Sequence, residues 1–120
     1  MDREIKKYLE DIAFAVDEIN SFIEQYPRRY DIFCTTPILV RAVQMNVAII
    51  GEAMNRVLKL KSDIAISNAR KIVNTRNYVI HGYDSLRKEI LWAIVIRDLP
   101  ILKEEVSNLL GRGTDGSNCE

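Results

Sequence analysis

Ile5, Leu9, Ile12, Val16, Ile19, Ile23 and Tyr26 follow one another at intervals that alternate between four and three residues. Only an α-helix puts such a series on one face, so the first quarter of the chain predicts a long amphipathic helix with a narrow packing stripe. A helix of that kind cannot bury its stripe alone and must be matched by others. Pro27 stops it, and "PRRYDIFCTTP" reads as a connector. No segment shows the alternation of a strand, which leaves an all-α fold.

Thr36 followed by Pro37 predicts the next helix start, a side-chain cap and then a proline where no N–H is needed. This second helix is expected from Pro37 to about Lys61. Val40, Val43, Val47, Ile50, Met54 and Val57 form one stripe, and Ala42, Met45, Ile49 and Ala53 lie beside it. Apolar coverage that wide belongs to a helix central in the bundle or shared with a partner chain. Gly51, in mid-helix, costs about 1 kcal/mol relative to alanine and points to close approach of another backbone. "KSDIAISNARKIVNTRNYVIHG" reads as a third helix, capped by Asp63 or Ser67 and ended by Gly82. Asp84 or Ser85 caps a fourth, carrying Leu86, Ile90, Ala93 and Ile94. Pro100 either kinks that helix or opens a short fifth one with Asp98 as its cap, ending near Leu110. The expected architecture is an up-and-down bundle of four long helices, with or without the short fifth. Residues 1–110 form its single domain, and 111–120 form a disordered tail without an apolar anchor.

Composition narrows the function. Seventeen Lys and Arg balance seventeen Asp and Glu, so any contact with nucleic acid must be local rather than spread over a basic coat. Two cysteines, Cys34 and Cys119, and one histidine leave no metal-ligand spacing, so no metal and no cofactor are expected. Cys34 and Trp92 read as core residues. The beginning "MDREIKKYLEDI" lacks the apolar centre of a signal peptide. The longest apolar run, "ILWAIVI", falls short of the roughly 20 residues a membrane span needs. The expected location is the cytoplasm.

The single histidine stands in "RNYVIHGYD", five residues after Arg76 and two before Tyr83. As the last helical turn before Gly82, His81 sits among unsatisfied carbonyls that favour its charged form. From Arg70 to Lys88, five basic residues (Arg70, Lys71, Arg76, Arg87, Lys88) face one acid, Asp84, a local surplus of four positive charges. Such a patch can draw in a phosphate backbone. Arginine's planar fork can hold a phosphate, while histidine can take the proton of a ribose 2′-hydroxyl or protonate the departing 5′-oxygen. In-line cleavage needs both an acid and a base, so one histidine per chain suggests two chains at one cleft. Side chains five apart on a helix point about 140° from each other. They converge only if the last turn unwinds or if each faces a site completed by another chain. The plainer reading of Arg76 and His81 is a surface charge and a helix end, with Tyr83 as a packing residue. Glu52 likewise has two readings: an ion pair with Arg56 four residues on, or a buried carboxylate that orients Arg76 from across the bundle.

"AVQMNVAIIGEAMNRV", "RNYVIHGYD" and "ILWAIVIRDLPIL" resemble, in order, the signature blocks of the HepT-like toxins of the HEPN superfamily. The resemblance runs from about Asp2 to Leu110, with the Arg-x4-His-x-Tyr motif intact. It implies a homodimeric helical bundle whose two motifs face one cleft, acting as a metal-independent endoribonuclease toxic to its own cell. It further implies a neighbouring MntA-type nucleotidyltransferase antitoxin that silences the toxin by transferring AMP to Tyr83. Arg76 and His81 would be catalytic, with Asn77 in support. The alternative class is a non-catalytic helical partner of a minimal nucleotidyltransferase, in which Arg76 and His81 merely contact nucleotide phosphates.

Overall fold

The computed structural model describes residues 2–81 and 88–111, taking 77–81 as backbone only. In chain order the helices are α1 (Arg3–Glu24), α2 (Tyr30–Cys34), α3 (Pro37–Leu60), α4 (Ala69–His81), α5 (Lys88–Ala93) and α6 (Leu99–Leu109), with a π-helical segment, Ile94–Asp98, between the last two. No strand occurs among the described residues. The all-α bundle read from the sequence is what forms.

α1 buries the predicted stripe from Ile5 to Ile23, and Tyr26 packs partly buried just past its end. The carboxylate of Asp2 caps it, accepting from the backbone N–H of Glu4 (2.7 Å) and Ile5 (3.3 Å). α3 packs against both α1 and α4 and is the central helix. By length and apolarity α3 meets the minimum for a membrane span, but half of that stretch is buried inside the bundle. Its stripe from Val40 to Val57 is buried, whereas Met45 and Ile49 of the second stripe stay exposed. Gly51 faces α4 so closely that a Cβ there would stand 3.2 Å from the Cα of Arg76 and nearer still to its Cβ. The close approach expected from a mid-helix glycine is thus real, and the residue it meets is Arg76.

Several local expectations are corrected. The connector after Pro27 contains α2, a single turn that delivers Phe33 into the core against Trp92, ring centroids 5.3 Å apart. Trp92 itself is only partly buried at the core's edge. Thr36 does not cap α3: its hydroxyl donates to the carbonyl of Ile32 at 2.6 Å, and Pro37 alone marks the start. The third predicted helix begins later than expected. Residues 61–68 form turns that bury Ile64 and Ile66, so Asp63 caps nothing. The first bond of α4 runs from Ile72 N–H to the Asn68 carbonyl. Ser67 instead donates its N–H (2.9 Å) and hydroxyl (3.2 Å) to Glu105 of α6.

Of the two readings of Pro100 the second holds: the proline lies in the first turn of α6, the short helix expected to end near Leu110, although helical backbone leads into it from Lys88 through the π-helical segment. The wider π turn ends just before it, so the proline falls in the first turn of α6, where its missing N–H breaks no bond. Asp98 is helical and makes no cap bond. Gly111, with φ of 77°, ends α6 in the left-handed conformation that glycine adopts without strain. The expectations for the Gly82 helix end, the Asp84 or Ser85 cap, Leu86 and the tail 112–120 lie outside the described residues.

Candidate active site

α4 carries Arg76 and His81 and stays helical through His81, so its last turn does not unwind. The side chains of Asn77 and His81, and all of Tyr83 and Arg87, lie outside the described residues. Arg76 lies where α4 crosses Gly51, and its neighbour on α3 is Glu52. Arg76 Nη1 donates to Glu52 Oε1 at 2.5 Å, with 21% of the arginine side chain exposed. The other carboxylate oxygen, Oε2, takes Arg56 Nε at 3.4 Å. Glu52 therefore takes the ion pair of the first reading and the cross-bundle partner of the second. It pairs along its own helix and also reaches across to the motif arginine. It is not buried, however: 47% of its side chain is exposed. The Arg76 hydrogen bond is the main influence holding the Glu52 carboxyl below its ordinary value of 4.5, with partial burial acting the other way.

The remaining basic candidates divide. Arg70 is exposed on α4. Lys71 places Nζ 3.0 Å from Oδ2 and 3.3 Å from Oδ1 of Asp98, whose side chain is 7% exposed. Lys88 donates to the carbonyl of Cys34 at 3.1 Å, at the C-terminus of α2. Lys71 and Lys88 thus each have an internal acceptor, and the surplus of positive charge open to a ligand is smaller than the sequence count suggests. Asp98 was misread as a cap, although an acid set inside "ILWAIVIRDLPIL" was the available signal that it needed a buried cationic partner.

Beside Glu52, a groove of about 470 Å³ opens between α1 and α3, lined among others by Phe14, Asn46, Ile49, Glu52 and Arg56. Phe14, Ile38, Met45 and Ile49 expose apolar side chains along this side of the molecule. The last three lie on one face of α3, seven and four residues apart, and the same face continues to Glu52 and Arg56. An uncovered apolar stripe therefore leads directly to the carboxylate that holds Arg76. Among the described residues, no three His, Cys, Asp or Glu side chains converge as metal ligands.

Comparison with known proteins identifies the family of the chain. The family described as Ribonuclease HepT-like matches residues 12–109, which include α3 and all of α4. A protein named "Probable ribonuclease HepT" from Thermococcus cleftensis is 32% identical over 116 residues, covering 91% of this chain and 98% of the relative. "Putative RNase MJ1380" from Methanocaldococcus jannaschii is 30% identical over 106 residues, covering 87% and 94%. "Putative RNase TTE0752" from Caldanaerobacter subterraneus is 22% identical over 107 residues, covering 88% and 90%. No solved structure matches the chain. With the family pattern spanning most of the bundle and relatives aligned over nearly their whole length, the chain belongs to the HepT-like ribonuclease family.

Proposed function

We propose that this protein is the toxin of a toxin–antitoxin pair, a metal-independent endoribonuclease that works as a homodimer in the cytoplasm. The observation that carries the reading is the Glu52–Arg76 pair. A guanidinium fixed by a carboxylate at a helix crossing, on the helix that also presents the only histidine, is a pre-aimed phosphate clamp. Arg76 holds the scissile phosphate and offsets the charge that builds on its oxygens. One His81 takes the proton of the ribose 2′-hydroxyl, whose oxygen attacks phosphorus. The second His81, from the other chain, gives its proton to the departing 5′-oxygen. The products are a 2′,3′-cyclic phosphate and a free 5′-hydroxyl. Asn77 supports the pair, and Arg70 guides the strand, with lesser contributions from Lys71, Arg87 and Lys88.

Two features support the dimer. α4 is helical through His81, so convergence by unwinding does not apply. The exposed apolar stripe on α1 and α3 is what a second copy would cover. Tyr83, two residues past His81, is the acceptor for AMP from an MntA-type nucleotidyltransferase. AMP there adds negative charge and bulk in the cleft and excludes RNA. The helical domain of residues 1–110 is the working unit, and 111–120 is a tail outside it.

Incubating the purified protein with RNA in the presence of a chelator tests the chemistry. Cleavage with cyclic-phosphate ends is expected, and Arg76→Ala or His81→Ala should each abolish it. Cleavage that requires an added divalent cation would sink the metal-free mechanism. For Tyr83, intact mass after co-expression with the antitoxin should rise by AMP units, and the rise should vanish in Tyr83→Phe.

A further inference from the structure

Resting on the ribonuclease reading, we infer that Arg56 is a second phosphate-binding residue, which Glu52 holds beside Arg76 so that one RNA strand meets both guanidinium groups. Glu52 divides its two oxygens between two arginines, Oε1 to Arg76 and Oε2 to Arg56. One carboxylate against two guanidinium groups leaves this trio one positive charge in excess; of the other acids on the adjoining groove, Asp11 is paired with Lys7 and Glu18 stands on α1. The two arginines differ in how much they can offer a ligand. Arg76 is mostly covered, whereas Arg56 keeps 56% of its side chain exposed. Arg56 is tied only through Nε, at the long distance of 3.4 Å, and its two terminal nitrogens make no hydrogen bond among the described residues. Those two nitrogens are the pair with which a guanidinium grips a phosphate.

Position adds to this. Arg56 lines the open groove between α1 and α3 and stands on the same helix face as Met45 and Ile49. The apolar part of that face is the part a second copy would cover, and the charged end is left for the strand. An ordinary exposed pair four residues apart contributes little to stability, so a structural role gives weak reason for Arg56. Its chemistry matches a phosphodiester next to the scissile one, with no preference among bases.

Binding to a fully 2′-O-methylated oligoribonucleotide, which lacks the attacking hydroxyl, can be measured at several potassium chloride concentrations. Arg56→Ala should weaken binding severalfold and lower the slope of log affinity against log salt by about 0.7, one phosphate contact on a single strand. Arg56→Lys should restore the slope and part of the affinity. Arg29→Ala, which removes an exposed cation from the Asp31 pair elsewhere, should change neither. With cleavable RNA, Arg56→Ala should raise KM and largely keep kcat. Wild-type affinity and slope in Arg56→Ala overturn the inference and leave the nuclease reading standing. So does an Arg56→Ala protein that separates into single chains, since the residue then belongs to the seam. A wild type that binds RNA but never cuts it defeats the nuclease reading while the binding role of Arg56 is still read from the slope. A wild type that binds no RNA defeats both.

Discussion

At Gly51 the central helix accepts a residue that disfavours helix by about 1 kcal/mol relative to alanine, and the reason is the backbone of Arg76 lying across it. Gly51→Ala should therefore reverse the usual gain from alanine. The added methyl forces α3 and α4 apart, and a loss of about 1–3 kcal/mol in urea denaturation is expected. RNA cleavage should fall further than stability does, because the displaced residue is the proposed phosphate clamp. Glu52 makes a prediction in pH. Its folded carboxyl lies below the ordinary 4.5, chiefly through the Arg76 bond, so its stabilising contribution is complete above that value. The contribution then disappears as pH falls through the lowered folded value. The stability difference between wild type and Glu52→Gln should stay flat from neutral pH down to the ordinary carboxylate range and shrink below it. A difference that instead grows on acidification would contradict the pairing.

Among elements, α4 is anchored at its N-terminal end: Ser67, just before it, donates to Glu105, and Lys71 in its first turn pairs with Asp98. Asp98 is buried and Lys71 half exposed, so the two halves of the pair are not equivalent. Lys71→Met strands a carboxylate inside the π-helical segment, with only Arg97 left beside it among the described residues, at 3.5 Å, and should cost about 3 kcal/mol. Asp98→Asn in the same chain should recover part of that loss, which a two-variant denaturation cycle would read. The long elements were legible in the sequence because a stripe repeated over five or more turns leaves no other geometry. The short ones were not. α2 is one turn, too brief to show a period, and the segment at 61–68 anchors itself with Ile64 and Ile66, which look like a continuing stripe. At Pro100 the sequence offers a kink or a new helix, and the helix α6 forms; the π turn just upstream, which has no sequence period of its own, is what the reading lacked. Within the site, an acid in the apolar run "AIIGEAM" marked Glu52, and a glycine beside it marked the crossing. What sequence could not supply was their common partner, since Arg76 lies 24 residues away along the chain.

For the whole molecule, Phe14, Ile38, Met45 and Ile49 form an exposed apolar strip across α1 and α3, while Leu60, Ile96 and Ile101 are exposed elsewhere. If that surface is the seam between copies, light scattering of the wild type should return the mass of two chains. Ile49→Asp, at a position already open to solvent, should return one folded chain and lose cleavage. A wild type of single-chain mass would remove the shared cleft and its second histidine from the mechanism. On the proposed function, the bundle aims Arg76 and His81 at RNA inside its own cell. Growth after induction of the chain without its antitoxin tests this most directly. Wild type should arrest growth, while Arg76→Ala and His81→Ala, expressed to the same level, should not. A harmless wild type, or a His81→Ala protein that arrests growth equally, would contradict it.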